Sequence, residues 1–137
     1  MDYIGETMSM HMIFLDIDTK KSRLLRGLPE DEKLNLIIWE IKRLQRLYNL
    51  GVALVYKTKN GYHIRFPQAY VPLHIRNAIL ESCLLIDRGY LWWCKKLRDC
   101  TLRISEKPVL KKIARGRYKA YIDDSSPKLL MVIQDEE

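Results

Sequence analysis

The chain has 137 residues, 47% of them apolar and 30% charged, which is an ordinary balance for a globular protein of one domain, residues 1–137. Its formal net charge of +7 favours a polyanionic partner: nucleic acid, nucleotide phosphates or an acidic surface. The apolar runs are far shorter than the roughly 20 residues of a membrane span, so we expect no membrane partner. We also find no signal-peptide pattern and therefore expect a cytoplasmic protein.

The cysteines point to a structural role. Cys83, Cys94 and Cys100 are odd in number and have no C-x-x-C spacing. We therefore expect reduced cysteines that pack in the structure, and no zinc site.

The first half of the chain predicts a strand, a helix and a hairpin. The strand covers residues 8–18 and ends in "IFLDID", and a basic loop, "TKKSRLLRG", follows it. The helix begins at Pro29, with an acidic first turn that suits the positive end of its dipole, and ends at residues 49–51. Two β-rich runs, 52–57 and 62–66, flank Asn60-Gly61, a strong hairpin signal, and Pro67 is expected to end the second run.

The second half predicts two helices and then strands. An amphipathic helix is expected over 72–85, and "RGYLWWCKKLRD" favours a further short helix. "CTLRIS" predicts a strand, "KKIARGRYKAYI" a hairpin that turns at Gly116, and "KLLMVIQ" a last strand. Trp39 is expected to be buried, and so are Trp92 and Trp93, for which a base-stacking platform or a partner-docking patch is the alternative.

This order, β-α-β-β-α-β plus a C-terminal β extension, predicts an α+β fold. It is typical of a split βαβ sheet of the ferredoxin-like or RNA-recognition-motif-like kind, with its helices on one face. In such a sheet the first and third strands lie side by side in the middle. The topology therefore predicts that His63 lies beside Asp16 and Asp18.

Asp16 and Asp18 form the first candidate site. Residues two apart in a strand share a face, and two carboxylates held that close repel unless a cation or a proton lies between them. Mg²⁺ prefers such oxygen ligands together with substrate phosphates. The alternative is a solvated strand end.

Two further groups suit phosphate binding. His63 follows the Asn60-Gly61 turn and is close in sequence to Lys59, so it is a donor imidazole among cations. In the strand 101–105, Arg103 and Ser105 share a face and Lys107 follows two residues later. A solvated strand face is the alternative for this second group.

Three segments, "IFLDID", "TKNGYHIRF" and "TLRISEK", resemble the ordered motifs of the archaeo-eukaryotic primase superfamily. The resemblance implies template-directed nucleotidyl transfer, with Mg²⁺ or Mn²⁺ on Asp16 and Asp18. Either Asp87 or Asp99 would be a third acidic residue. The resemblance places the phosphates of the incoming nucleotide on His63, Arg103 and Lys107. Lys59 and Ser105, which are close to these residues in the sequence, are further nucleotide-binding candidates.

The sequence departs from that superfamily in three ways. Gly61 stands where the family often has serine, the third acidic residue is ambiguous between Asp87 and Asp99, and the chain is short for a full primase. A zinc-binding module is also absent from the sequence. A minimal enzyme, a subunit that needs a partner subunit or a helicase, and an inactivated relative all stay open. The oligomeric state cannot be inferred from the sequence.

The expected partners are nucleic acid and nucleoside triphosphates. Basic residues in two segments are the candidate nucleic-acid contacts: Lys20, Lys21, Arg23, Lys111, Lys112, Arg115 and Arg117. One alternative function is a non-catalytic nucleic-acid-binding module that stacks bases on strand aromatics, for which Tyr56, Tyr62 and Phe66 are candidates, although core packing is favoured for all three. Another is a metal-dependent nuclease.

Overall fold

The computed structural model describes residues 10–97, 108–114, 117–122 and 127–135, and in 108–114 and 117–122 it describes the backbone alone. Helices and strands alternate through these ranges. In chain order they are β1 (Met10–Asp18), α1 (Glu30–Tyr48), β2 (Ala53–Lys57), β3 (Gly61–Pro72), α2 (Leu73–Ser82), α3 (Arg88–Leu97), β4 (Pro108–Ala114), β5 (Arg117–Ile122) and β6 (Lys128–Ile133).

The central feature is an open antiparallel sheet with the strand order β1-β3-β2-β6, beside a separate β4-β5 hairpin. β1 and β2 are joined by α1, run parallel and have β3 between them. The fold is therefore α+β and compatible with a small ferredoxin-like arrangement. β1 and β3 are neighbours, as predicted. Among the described strands, however, β1 lies at an edge and not in the middle, because β3 is the one described strand that pairs with it. The additional strand, β6, pairs with β2 at the opposite edge.

The two faces of the sheet differ in chemistry because side chains alternate along each strand. On one face, Ile13, Leu15 and Ile17 of β1 are completely buried. They belong to a core with apolar residues of β3, α1 and α2: Ile64, Phe66, Ile37, Ile41, Leu44, Ile79 and Leu80. Burial of each such side chain stabilises the fold by about 1.5–3 kcal/mol. The other face of β1 therefore carries Asp16 and Asp18.

The sequence predicted most element positions, and the structure corrects one of them. β3 does not end at Pro67 but continues to Pro72. The register jumps there, since Ile13 pairs with Phe66 whereas Met12 pairs with Tyr70. Pro67 thus lies in an irregularity of the ladder, where its missing N–H removes no pairing.

The other elements agree with expectation where the structure describes them, apart from the length of the second helix. The helix ending at Tyr48 is followed by Asn49 in the left-handed conformation (φ 54°), a common helix stop. The second helix is shorter than expected, the third helix, the β4-β5 hairpin and β6 are confirmed, and the strand expected at 101–105 lies outside the described residues.

Burial corrects the predictions for the tryptophans. Trp39, Trp92 and Trp93 are exposed by 53%, 57% and 52%, so the expectation that they pack in the core is wrong. The core interpretation is confirmed for the strand aromatics Tyr62 and Phe66, at 2% and 0% exposure, and Tyr56 is also buried. Those strand aromatics therefore give no exposed base-stacking platform.

The cysteines differ in state. Cys83 is free and buried, which fits the structural role expected for it. Cys94 is disulfide-bonded, so the expectation of reduced cysteines is wrong for this residue. Within the described ranges, no helix has both the length and the apolar character needed to cross a membrane.

Candidate functional site

The candidate site is built on the ladder between β1 and β3. Asp16 is the direct partner of His63 in this register. The backbone carbonyl of Asp16 accepts the amide of Asp87 at 2.7 Å, so it points away from β3. Asp16 and His63 thus form a non-hydrogen-bonded pair, the kind whose Cα atoms approach to about 4.5 Å and whose side chains lie closest. His63 Nε2 lies 3.5 Å from Asp16 Oδ1.

Asp18 lies two residues further along β1, on the face of Asp16, and is held by the turn that follows. Its Oδ1 accepts the backbone amides of Lys20 at 2.9 Å and Lys21 at 3.1 Å. An aspartate that accepts backbone amides in this way stabilises a tight local turn. The backbone of Lys20 and Lys21, the first two lysines of the basic loop, is therefore held directly beside the Asp18 carboxylate.

Gly61 lets the two strands approach closely at this point. It is the ladder partner of Asp18. A Cβ atom at Gly61 would lie 1.9 Å from the carbonyl oxygen of Ile17 and 3.1 Å from the Cα of Asp18, which is a severe clash. This close approach gives a physical reason for glycine at position 61, where the family that the sequence resembles often has serine.

Asp87 lies near Asp16 and Asp18 and also stabilises the local structure. Its amide bonds the Asp16 carbonyl, and its Oδ2 accepts the amide of Tyr90 at 3.1 Å, so it caps the start of α3. The Tyr90 hydroxyl donates to the carbonyl of Phe14 at 3.2 Å. These contacts place Asp87 beside the outer edge of β1, where its charge acts on Asp16.

The electrostatics of Asp16 are perturbed. Partial burial raises its pKa above the ordinary value of 3.8, His63 opposes that rise, and the nearby charges of Asp87 and Asp18 add to it. The side chains of Asp16 and His63 are 28% and 18% exposed. A half-buried carboxylate beside like charges is typical of functional sites and of places where a cation binds.

Two cavities meet at Asp18. One has a volume of about 290 Å³ and is lined by Asp16, Ile17, Asp18, Thr58, Lys59, Asn60 and His63. The other has a volume of about 240 Å³ and is lined by Asp18, Lys21, Ser22, Leu85, Ile86, Asp87, Arg88 and Gly89. Each cavity combines carboxylates with at least one cation, which is the lining expected for a metal–phosphate ligand.

The donor set suits a hard cation that shares its ligands with a substrate. In the part of the chain that the structure describes, no group of three or more His, Cys, Asp or Glu side chains is arranged to hold a metal ion. Mg²⁺ commonly binds through one or two carboxylates, completed by water and substrate phosphates. Asp16 and Asp18 fit that mode and not a closed protein cage.

The structure brings together only part of the residues that the sequence singled out. Asp16, Asp18, His63, Asp87 and Lys59 lie around the two cavities. Lys20, Lys21 and Arg23 are exposed in the loop after β1. The backbones of Lys111, Lys112 and Arg117 lie in the β4-β5 hairpin. Outside the described residues are Arg103, Ser105, Lys107, Arg115 and Asp99.

Arg65 is one of the basic residues that flank His63 in the sequence, but it was not predicted as a site residue. It follows His63 by two positions in β3 and therefore shares its face. Its Nη2 donates to the Tyr56 hydroxyl at 3.4 Å, while its Nε is buried and has no hydrogen-bond partner among the described residues. The signal was the strand alternation itself, since His63-Ile64-Arg65 puts both basic side chains on the side of Asp16.

Comparisons of the chain with protein-family models, with curated proteins and with solved structures found no match. The case for a function therefore comes from the residues around Asp16 and His63.

Proposed function

We propose that this protein is a metal-dependent nucleotidyltransferase of the primase-polymerase type, which extends nucleic acid on a template. The observation that supports the proposal most directly is the pairing of Asp16 with His63, with Asp18 on the same face and in the same cavity. The RNA-recognition-motif-like strand order of that family is part of the proposal. A sheet in which β3 lies between β1 and β2 is compatible with it.

In this proposal the carboxylates of Asp16 and Asp18 hold Mg²⁺ or Mn²⁺. When bound there, the cation would neutralise charge on the triphosphate and polarise the reacting oxygens. The pKa of Asp16 is raised chiefly by burial and further by the nearby charges of Asp87 and Asp18, and these like charges support the role, because a bound cation would relieve their repulsion. Asp87 adds negative charge nearby, and its side chain stays on the α3 amide that it caps.

His63 and Lys59 bind the phosphates of the incoming nucleotide in this arrangement. Both line the cavity that contains Asp16 and Asp18, and both donate hydrogen bonds to anionic oxygen. Arg65 lies two residues after His63 on the same face of β3 and adds a further basic side chain. Arg103, Ser105 and Lys107 lie outside the described residues and complete the nucleotide site on the strength of the sequence: strand alternation groups all three, and the family resemblance adds weight to Arg103 and Lys107.

Positive charge close to the aspartates supports nucleic acid as the partner in this proposal. The exposed loop residues Lys20, Lys21 and Arg23 lie directly after the aspartates. Positive charge around a site draws in polyanions and raises their association rate. Lys111, Lys112, Arg115 and Arg117 are included as nucleic-acid contacts on the strength of the sequence. A partner subunit or helicase is a further part of the proposal.

The test is an extension assay with end-labelled oligonucleotides, template, nucleotides and Mg²⁺ or Mn²⁺. We expect labelled products to lengthen with the wild-type protein and to stay unchanged with the double variant Asp16→Ala plus Asp18→Ala. A matched control is Asp31→Ala plus Glu32→Ala, which removes two exposed carboxylates from α1. Full activity in the folded Asp16/Asp18 variant would contradict the proposal, and shortened products that depend on the same aspartates would indicate a nuclease instead.

A further inference from the structure

Two adjacent tryptophans on α3 are exposed to solvent. Trp92 and Trp93 are 57% and 52% exposed, and their ring centroids lie 6.0 Å apart with the rings tilted by 32°. Large aromatic side chains gain free energy from burial, and contiguous exposed apolar patches are typical of interaction sites.

The surroundings of these rings are basic. The Nζ of Lys96 lies 4.9 Å from the centroid of the Trp92 ring, a cation–π distance. A cavity of about 570 Å³ next to the pair is lined by Arg88, Leu91, Trp92, Lys95 and Lys96. Lys95 is paired with Glu81, so the net positive charge at this place comes from Arg88 and Lys96. Aromatic faces with unbalanced positive charge fit a partner that is both flat and anionic.

This surface continues into the candidate site. Arg88 lines the tryptophan cavity and also the 240 Å³ cavity that contains Asp18 and Asp87. Arg88 and Trp92 are four residues apart on α3, which makes them neighbours on one side of the helix. Arg88 therefore connects the cavity beside the tryptophans with the cavity that contains Asp18 and Asp87, and a strand of nucleic acid bound on the tryptophans would lie next to the candidate site.

We propose that Arg88, Trp92, Trp93 and Lys96, which we call the tryptophan surface, bind single-stranded nucleic acid. The rings stack on bases, and Arg88 and Lys96 contact phosphates. Single strands fit better than duplexes, because the faces of duplex bases are already stacked on each other. The role of this surface as the template site rests on the proposed function, whereas the binding itself requires neither metal nor nucleotide.

The test measures the binding of a fluorescent oligo(dT) by anisotropy, without metal or nucleotide. We expect Trp92→Ala plus Trp93→Ala to weaken binding by about tenfold or more, since one base stacked on an aromatic ring is worth roughly that factor. Trp39→Ala is the matched control, because Trp39 is 53% exposed on a different helix. Arg88→Ala plus Lys96→Ala should lower the slope of log K against log salt by roughly 1.4, which is two phosphate contacts on a single strand.

A second measurement covers the case in which the double tryptophan variant does not fold. In a Trp39→Phe protein the remaining fluorescence comes from Trp92 and Trp93, and oligo(dT) should quench it. Unquenched fluorescence during binding, or wild-type affinity in the folded double variant, would overturn the proposal and point to a protein partner for these rings. The Asp16→Ala plus Asp18→Ala variant should bind oligo(dT) normally, so a loss of extension with intact binding separates the two proposals.

Discussion

Asp16 and His63 face each other across the β1-β3 ladder, with His63 Nε2 3.5 Å from Asp16 Oδ1. Neither side chain belongs to the hydrophobic core, and both line a cavity that also contains Asp18. A carboxylate that binds a metal ion and an imidazole that binds a phosphate would need to lie this close together. The reason is that the metal ion and the phosphate are themselves joined when a nucleotide binds its metal.

The raised pKa of Asp16, caused chiefly by burial, predicts that its carboxylate destabilises the metal-free protein. Asp16→Asn should raise the free energy of unfolding in urea at pH 7.5 by up to about 1 kcal/mol, since the site is partly screened by solvent. The sign follows from the raised pKa of Asp16 in the folded state: stability is present below the unfolded pKa and is lost as the pH rises through the folded pKa.

The advantage of Asp16→Asn should therefore shrink as the pH is lowered towards 4, where the wild-type carboxyl is increasingly protonated. Asp31→Asn, at an exposed carboxylate of α1, should show no such gain. A variant that is less stable than the wild-type protein at pH 7.5 would show that Asp16 has a net stabilising partner.

His63 is predicted to contribute to triphosphate binding. A hydrogen bond to a charged group is worth about 1.5–3 kcal/mol, so His63→Ala should weaken nucleoside triphosphate binding by about tenfold or more. Calorimetry in the presence of Mn²⁺ measures this affinity directly. His74→Ala is the control, since His74 is exposed at the start of α2. Equal affinity in both variants would remove His63 from the site.

Gly61 is predicted to tolerate no side chain. Gly61→Ala would bring a Cβ within 1.9 Å of the Ile17 carbonyl, so either the strand or the turn must move. We expect a loss of about 2–3 kcal/mol in the free energy of unfolding, together with a loss of activity. Gly89→Ala serves as the control, because its Cβ would meet only Asp87 Oδ2 at 3.5 Å, an ordinary contact. Similar stabilities of the two variants would argue against the close approach at Gly61.

The hydroxyl of Tyr62 ties β3 to the start of α1. It donates to Glu30 Oε1 at 2.8 Å, and this bond, more than any other influence, lowers the pKa of Glu30. Tyr62→Phe should lower the free energy of unfolding by less than about 1 kcal/mol at neutral pH, because the Glu30 side chain is largely exposed.

A lowered pKa in the folded state means that the stabilisation is present above the unfolded pKa and is lost as the pH falls. The difference between wild-type protein and Tyr62→Phe should therefore decrease when urea unfolding is repeated at acidic pH. A difference that stays constant with pH would indicate that packing of the ring, and not the bond to Glu30, is what the substitution changes.

The sequence predicted that Asp16 lies beside His63, because the alternation of side chains along the strands and the order of the elements could both be inferred from the residue types. Alternation put Asp16 and Asp18 on one face, and the Asn60-Gly61 turn fixed the strand that carries His63. Pro67 misled the prediction, since a proline normally ends a paired strand and a local irregularity in register cannot be seen from residue types.

Exposure was the least predictable property. An apolar stripe shows that a helix has a buried side, yet it does not show how far that side extends, so Trp39 and Trp92 were assigned to the core wrongly. The capping role of Asp87 had a signal, since aspartate is a preferred residue at the start of a helix. The buried Nε of Arg65 depends on packing around it, which sequence alone does not specify.

A crystal structure of the protein with Mn²⁺ and a non-hydrolysable nucleoside triphosphate tests the central claim most directly. Anomalous scattering should place Mn²⁺ within coordination distance of carboxylate oxygens of Asp16 and Asp18, with the triphosphate against His63 and Lys59. The claim would be contradicted by a structure in which nucleotide and Mn²⁺ bind elsewhere and Asp16 and Asp18 remain solvated.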